Sequence, residues 1–213
     1  MPIKLVIFGH DGVVVDSNGH IYDAIWGLCS DHPTAFGKYS APRFSDFLEF
    51  FRLPGDEWFK SYGFDFPPEL IEKTLRQAPD KAEMFSTVPS MLQRLRKESN
   101  LPMIMISAGD QSRIERQLGR GEIRHHFESV VGGVIDKTMA IACFCSAFDI
   151  SPAETVYIGD RPSDMEHVYE AGVMTIGFTD DRPMMRRILT AAGAKHCVPN
   201  HQALGDLLLE LAA

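Results

Sequence analysis

VIFGHDGVVVDS, residues 6–17, joins the apolar run Leu5–Phe8 to a second one, Val13–Val15, through Gly9, His10, Asp11 and Gly12. An apolar strand that ends in glycine, histidine and an acid places polar groups at one edge of whatever sheet it joins. The same alternation recurs along the chain from about residue 88. Val88, Met91, Leu92 and Leu95 follow the i, i+3, i+4, i+7 spacing of an amphipathic helix, and PMIMIS at 102–107 reads as a buried strand. A helix from about Gln111 to Leu118, a short strand around ESVVGG and a helical stripe on Ala140, Cys143, Phe144 and Ala147 come next. TVYIG at 155–159 is a strand, and SDMEHVYEAG is a helix closed by Gly172, a residue suited to a left-handed C-cap. VMTIGF is a further strand, and the chain ends in a helix carrying Leu204, Leu207, Leu208 and Leu211. Continuous apolar strands separated by helices predict an α/β fold with a parallel sheet covered on both faces.

The stretch between Ser17 and about Glu83 has a different character. Ile21, Ala24, Ile25 and Leu28, then Phe44, Phe47, Leu48 and Phe51, form helical stripes without a convincing strand, and Pro33, Pro42, Pro54, Pro67 and Pro79 interrupt them. The chain therefore divides into a core of residues 1–16 and 84–213 and a helical insertion at 17–83. An insertion after the first strand lies over the carboxyl ends of the strands like a lid, or packs on the side of the sheet. Ligand sites favour the strand ends. The loop SDHPTAFGKYSAPRF offers Lys38, Tyr39 and Arg43 to a substrate carboxylate or hydroxyl, or to solvent.

Bulk properties bound the function. The chain has 213 residues and a formal charge of -8, from 21 basic and 29 acidic side chains, which disfavours nucleic acid and anionic membranes as partners. No apolar run approaches the roughly 20 residues of a membrane span, and MPIKLVIF turns polar too soon for a signal peptide. Cys29, Cys143, Cys145 and Cys197 lack metal-ligand spacing, so reduced, buried thiols in a cytoplasmic protein are expected.

Successive strand ends supply Asp11, then Ser107, then Lys137 just before a helix, then Asp160 and Asp164 in GDRPSD. Acids four apart at a helix start lie on one side. Acids, a hydroxyl and a lysine converging on one edge suit a divalent cation and a phosphate: hard oxygen ligands hold magnesium, and lysine, serine and free loop N–H groups bind phosphate oxygens. Singly, Ser107 reads as a helix cap, Asp164 as an early-helix acid and Lys137 as a surface lysine.

VIFGHDGVVVDS, the helical insertion, IMISAGD, Lys137 and VYIGDRPSDMEHVYEAGV together resemble the haloacid dehalogenase-like superfamily, and more narrowly its phosphoglycolate-phosphatase and beta-phosphoglucomutase type with a helical cap. The resemblance implies a Rossmann-like parallel sheet flanked by helices, with an inserted α-helical cap, and a phosphatase acting on a small phosphorylated metabolite as a monomer or homodimer. It further implies Asp11 as general acid and base, and Ser107, Ala108 and Lys137 on the phosphoryl group. Magnesium would be held by Asp160, Asp164 and the backbone carbonyl of Asp11. In that family an aspartate stands where this chain has Gly9, and it is both the covalent nucleophile and a magnesium ligand. Lys137 is followed by Thr138 instead of the family's common proline.

Gly9 offers no oxygen to attack phosphorus, and His10, as the neighbouring residue, is expected to point elsewhere. Removing a covalent nucleophile costs on the order of 10⁶ in turnover. Three readings follow: a phosphatase relative that binds a phosphorylated metabolite or a protein without turning it over, a hydrolase using water or another nucleophile, and an ordinary phosphatase carrying an introduced glycine. Magnesium binding is expected to be weak, because one acidic ligand is missing.

Overall fold

Leu5–Phe8 forms strand β1, with every side chain fully buried. The computed structural model describes residues 1–32 and 42–213. The chain divides into two compact units, Met1–Val15 with Glu83–Ala213, and Asp16–Ala82.

The second of these carries helices α1 (Asn18–Ser30), α2 (Phe44–Phe50), α3 (Asp56–Ser61) and α4 (Pro68–Gln77), and no strand among its described residues. Its interior is aromatic: Phe47, Phe51, Trp58, Phe59 and Phe66 meet mostly edge to face. Aromatic rings fill the space between short helices, where few residues are available to bury area.

The larger unit continues with α5 (Val88–Glu98), β2 (Met103–Ile106), α6 (Gln111–Arg120), β3 (Ser129–Val131), α7 (Thr138–Phe148), β4 (Thr155–Gly159) and α8 (Pro162–Glu170). It closes with β5 (Met174–Phe178), α9 (Pro183–Ala191), β6 (His196–Val198) and α10 (His201–Ala212). The six strands make one sheet in the order β3-β2-β1-β4-β5-β6, parallel at every pairing. The α/β class and the alternation of strand and helix agree with the sequence. Two elements carried no distinct sequence signal, α9 and the three-residue β6. Phe8 stands opposite Met105 of β2 on one side and Ile158 of β4 on the other. β1 is thus hydrogen-bonded on both edges and packed on both faces, which is why it reads as an unbroken apolar run.

The strand order reverses direction at β1, so β1 and β4 diverge into opposite halves of the sheet. In open α/β sheets the crevice at such a switch point, beyond the carboxyl ends, is where ligands bind. Beyond β1 the chain makes one tight turn. The carbonyl of His10 accepts from the N–H groups of Val13, Val14 and Val15, and Gly12 adopts a φ of 72°. That left-handed backbone explains Gly12. Gly172 also has a positive φ, 74°, just past the end of α8, as the sequence predicts.

Cys29 and Cys145 are buried, but Cys143 is exposed and Cys197 half-buried, so the expectation of buried thiols is corrected for these two. Residues two apart on a helix point to roughly opposite sides, so α7 turns Cys143 outward and Cys145 inward. Among the described residues no helix is long and apolar enough to cross a membrane.

Candidate active site

Gly9 is held in register at the end of β1 by its N–H, which donates to the carbonyl of Ile158 at 2.8 Å. Its backbone is not left-handed, so geometry alone does not demand glycine. The surroundings are closed, however. A Cβ at this position would meet the Ile158 carbonyl oxygen at 3.1 Å and the Tyr157 hydroxyl at 3.3 Å.

Tyr157 is fully buried on β4, and its hydroxyl donates to Asp164 Oδ2 at 2.8 Å. Lys137 Nζ donates to the other oxygen, Oδ1, at 2.6 Å. Lys137 occupies the N-cap position of α7 and is buried, which excludes the surface-lysine reading. Asp164 lies in the first turn of α8, where the helix dipole also favours an acid. Burial, and then the charge of Asp164, push the Tyr157 phenol well above its ordinary pKa, so it remains a neutral donor. The structure therefore joins two of the sequence-predicted residues, Lys137 and Asp164, through a direct ion pair, and adds a tyrosine that the sequence reading passed over.

Asp11 follows a different path. Both of its oxygens accept from Arg113 on α6, Oδ1 from Nη1 at 2.9 Å and Oδ2 from Nη2 at 2.7 Å. The Asp11 side chain retains 23% exposure, whereas that of Arg113 retains 3%. His10 is buried beside it, Nδ1 3.7 Å from Asp11 Oδ1, with neither ring nitrogen in a hydrogen bond. Burial raises the Asp11 carboxyl, but His10 and the Arg113 guanidinium outweigh it and hold the group well below the usual carboxylate range.

Ser107, buried just beyond β2, accepts through Oγ from the N–H of Gly109 at 3.1 Å. It braces the loop that includes the half-buried Ala108; the N-cap of α6 is Asp110, whose side chain accepts from the N–H of Arg113. Asp160 is buried beyond β4, 3.8 Å from Arg161 Nε. Arg43 forms an exposed ion pair with Asp46, while Lys38 and Tyr39 lie outside the described residues.

The family model for a haloacid dehalogenase-like hydrolase matches residues 6–178. The chain belongs to that family. It is similar to a phosphoglycolate phosphatase of Synechococcus elongatus, 24% identical over 184 residues that make up 83% of this chain and 84% of that one. Among solved structures, a predicted phosphatase from Clostridium acetobutylicum superposes with a TM-score of 0.75 at 18% identity, covering 99% of this chain and 100% of that one. A family hydrolase from Deinococcus radiodurans, solved with bound phosphate and sodium, gives 0.70 at 20% identity, covering 99% and 96%.

Phosphatases of the haloacid dehalogenase-like family generally use magnesium. The donors present here do not make a set for it. Position 9 has no side-chain oxygen, Asp164 has an oxygen committed to Lys137 and another to Tyr157, and among the described residues no three acids, histidines or cysteines group as metal ligands. Asp160 and the backbone carbonyl of Asp11 are the other hard oxygens expected of the site, and without a carboxylate at position 9 they are a weak hold on a divalent cation.

Arg113 is the residue that sequence reasoning missed. One signal was available: an arginine in the first turn of a helix opposes the dipole and calls for a nearby acid. Tyr157 carried no comparable signal, because a tyrosine inside a buried strand reads as core.

Proposed function

We propose that this chain recognises the phosphoryl group of a small phosphorylated metabolite, of the kind handled by phosphoglycolate phosphatases, and is impaired in hydrolysing it. The observation that carries the reading is Gly9. The backbone at the end of β1 is fixed in register with β4, and the covalent route of the family has no oxygen there to attack phosphorus. The buried Lys137 and the Ser107 loop, at the edge beside the topological switch point, supply groups suited to phosphate oxygens. That a hydrolase of the same fold from Deinococcus radiodurans was solved with bound phosphate supports phosphate as the class of ligand. Attack by water with Asp11 as base is disfavoured, because both Asp11 oxygens already accept from Arg113 and the Tyr157 hydroxyl crowds the position beside Gly9.

Calorimetry with inorganic phosphate and with phosphoglycolate, alongside a phosphate-release assay, tests the proposal. We expect binding that weakens at least ~10-fold in Ser107→Ala, the loss of one hydrogen bond to a charged group, and phosphate release no faster than background. Turnover at an enzyme-like rate, about 1 s⁻¹ or more, would overturn it. So would the absence of binding to either ligand.

A further inference from the structure

Arg113 is placed by four features of one short segment. Asp110 caps α6 and accepts from the N–H of Arg113 at 3.0 Å, which fixes the first turn of the helix. Gln117, one turn further on, accepts from Arg113 Nη1 at 3.1 Å and sets the guanidinium plane. Arg113 itself is buried, with its Nε unpartnered, so the guanidinium is committed to Asp11 and Gln117. Gly109 completes the arrangement: a Cβ there would collide with Arg113 Nη2 and stand 2.9 Å from Asp11 Oδ2. In this arrangement the guanidinium occupies space that a side chain at residue 109 would contest.

A bidentate guanidinium–carboxylate contact is among the strongest and most directional that a protein makes. A general acid has to present a proton on a free oxygen to the leaving group. The Arg113 fork donates one N–H to each Asp11 oxygen and so favours the ionised carboxylate, which has no proton to give.

We propose that Arg113 is a positioning residue that withholds Asp11 from proton transfer, so that hydrolysis is blocked at two places, Gly9 and the Asp11–Arg113 pair. The inference rests on the reading of the chain as impaired in hydrolysis, and it deepens it. A carboxylate restored at position 9 would be insufficient while Arg113 holds both oxygens of its proton donor.

The test compares wild type, Gly9→Asp, Gly9→Asp with Arg113→Met, and Gly9→Asp with Arg113→Lys, each checked for folding by thermal melting. Single-turnover rates are measured with magnesium on an alkyl phosphate and on p-nitrophenyl phosphate. In the step followed, an oxygen of the introduced carboxylate bonds to phosphorus and the ester P–O bond breaks. The departing alkoxide takes the proton of Asp11, which is left as carboxylate. Nitrophenolate leaves without a proton, so it reports everything except that transfer.

We expect Gly9→Asp with Arg113→Met to exceed Gly9→Asp by about 10²–10⁴-fold on the alkyl ester, the usual worth of general acid catalysis, and by less than ~3-fold on the aryl ester. Arg113→Lys, which keeps the charge but loses the fork, should fall between. If Arg113→Met does not fold, the lysine variant carries the same comparison. Equal rates in the single and double variants, at any level, overturn the lock. So does an equal gain on both esters, which marks a merely structural effect. Enzyme-like turnover by the wild type overturns the proposed function instead. The role of Arg113 is then decided by Arg113→Met alone on the two esters, where a gain confined to the alkyl ester supports the lock.

Discussion

Two charge pairs furnish the edge of the sheet, and they are built differently. Asp164 receives Lys137 on one oxygen and Tyr157 on the other, with side-chain exposures of 14% for the acid and 5% for the lysine. Asp11 receives a single guanidinium on both oxygens and keeps 23% of its own side chain exposed. The first arrangement is the more sealed of the two and spreads over three strand and helix elements; the second is one fork on the more open acid. A buried ion that loses its partner costs far more than one that water can reach. The two halves of the site should therefore fail by different amounts when broken.

The largest effect is expected at the sealed half. Lys137→Met leaves Asp164 with only the tyrosine hydroxyl and should lower unfolding free energy by about 3–5 kcal/mol in urea denaturation, the usual result of removing one partner from a buried pair. Arg113→Met should cost less, about 2 kcal/mol, because water can replace the guanidinium around the part-exposed Asp11 while the methionine keeps most of the apolar packing. A loss at Arg113 equal to that at Lys137 would break the comparison and show Asp11 to be as sealed as Asp164.

The same contrast explains what the sequence could and could not tell. Lys137 stands just before a helix and Asp164 at a helix start, each shortly after an apolar strand, where a reading based on alternation naturally looks for polar groups. β1, β2 and β4 were legible because burial on both faces leaves them almost continuously apolar, with only Thr155 and the Tyr157 hydroxyl as polar groups inside. β6 was not, since His196, Cys197 and Val198 are too few and too mixed to show a period. Arg113 sits among Ser112, Glu115 and Arg116 in a segment whose polar residues read as a solvated helix face. Its burial is a tertiary fact, set by Gly109 and by Asp11 some hundred residues earlier, and helical spacing does not report it. The crowding at Gly9 was equally hidden, because it depends on where the Tyr157 ring of a neighbouring strand ends.

That crowding gives a smaller, sharper test. Gly9→Ala brings a Cβ to 3.1 Å from a backbone carbonyl and 3.3 Å from the Tyr157 hydroxyl. The backbone is not left-handed, so no φ strain enters and the unfolded chain loses some freedom in favour of alanine. Overpacking against a fixed carbonyl outweighs that gain, and a net loss of about 1–2 kcal/mol is expected. Tyr157→Phe removes one of the two close atoms, so the double variant should be more stable than the sum of the single losses predicts. Strict additivity would mean that the hydroxyl does not confine position 9, and the two halves of the site would then differ only in charge.

The smallest effect separates the halves by pH. Asp11 is held below its ordinary carboxyl value of 3.8 in the folded chain. Its contribution is complete well above that value and is lost as pH falls, because the unfolded chain takes up the proton first. With an unfolded value near 3.8, the share lost by pH 3 is about 1 kcal/mol. Tyr157 works in the opposite direction: its raised pKa stabilises the fold below the ordinary value of 10.0, and that share declines only as pH rises past it. The open half thus weakens in acid and the sealed half in alkali. Urea unfolding of wild type and Asp11→Asn at pH 6 and pH 3 isolates the acid arm, since other depressed carboxyls such as Asp46 and Asp206 are common to both proteins. The variant should lose about 1 kcal/mol less than wild type between the two pH values. An identical loss would show that the Arg113 fork does not hold Asp11 as a carboxylate in solution, and would remove the physical basis for treating the two pairs as different.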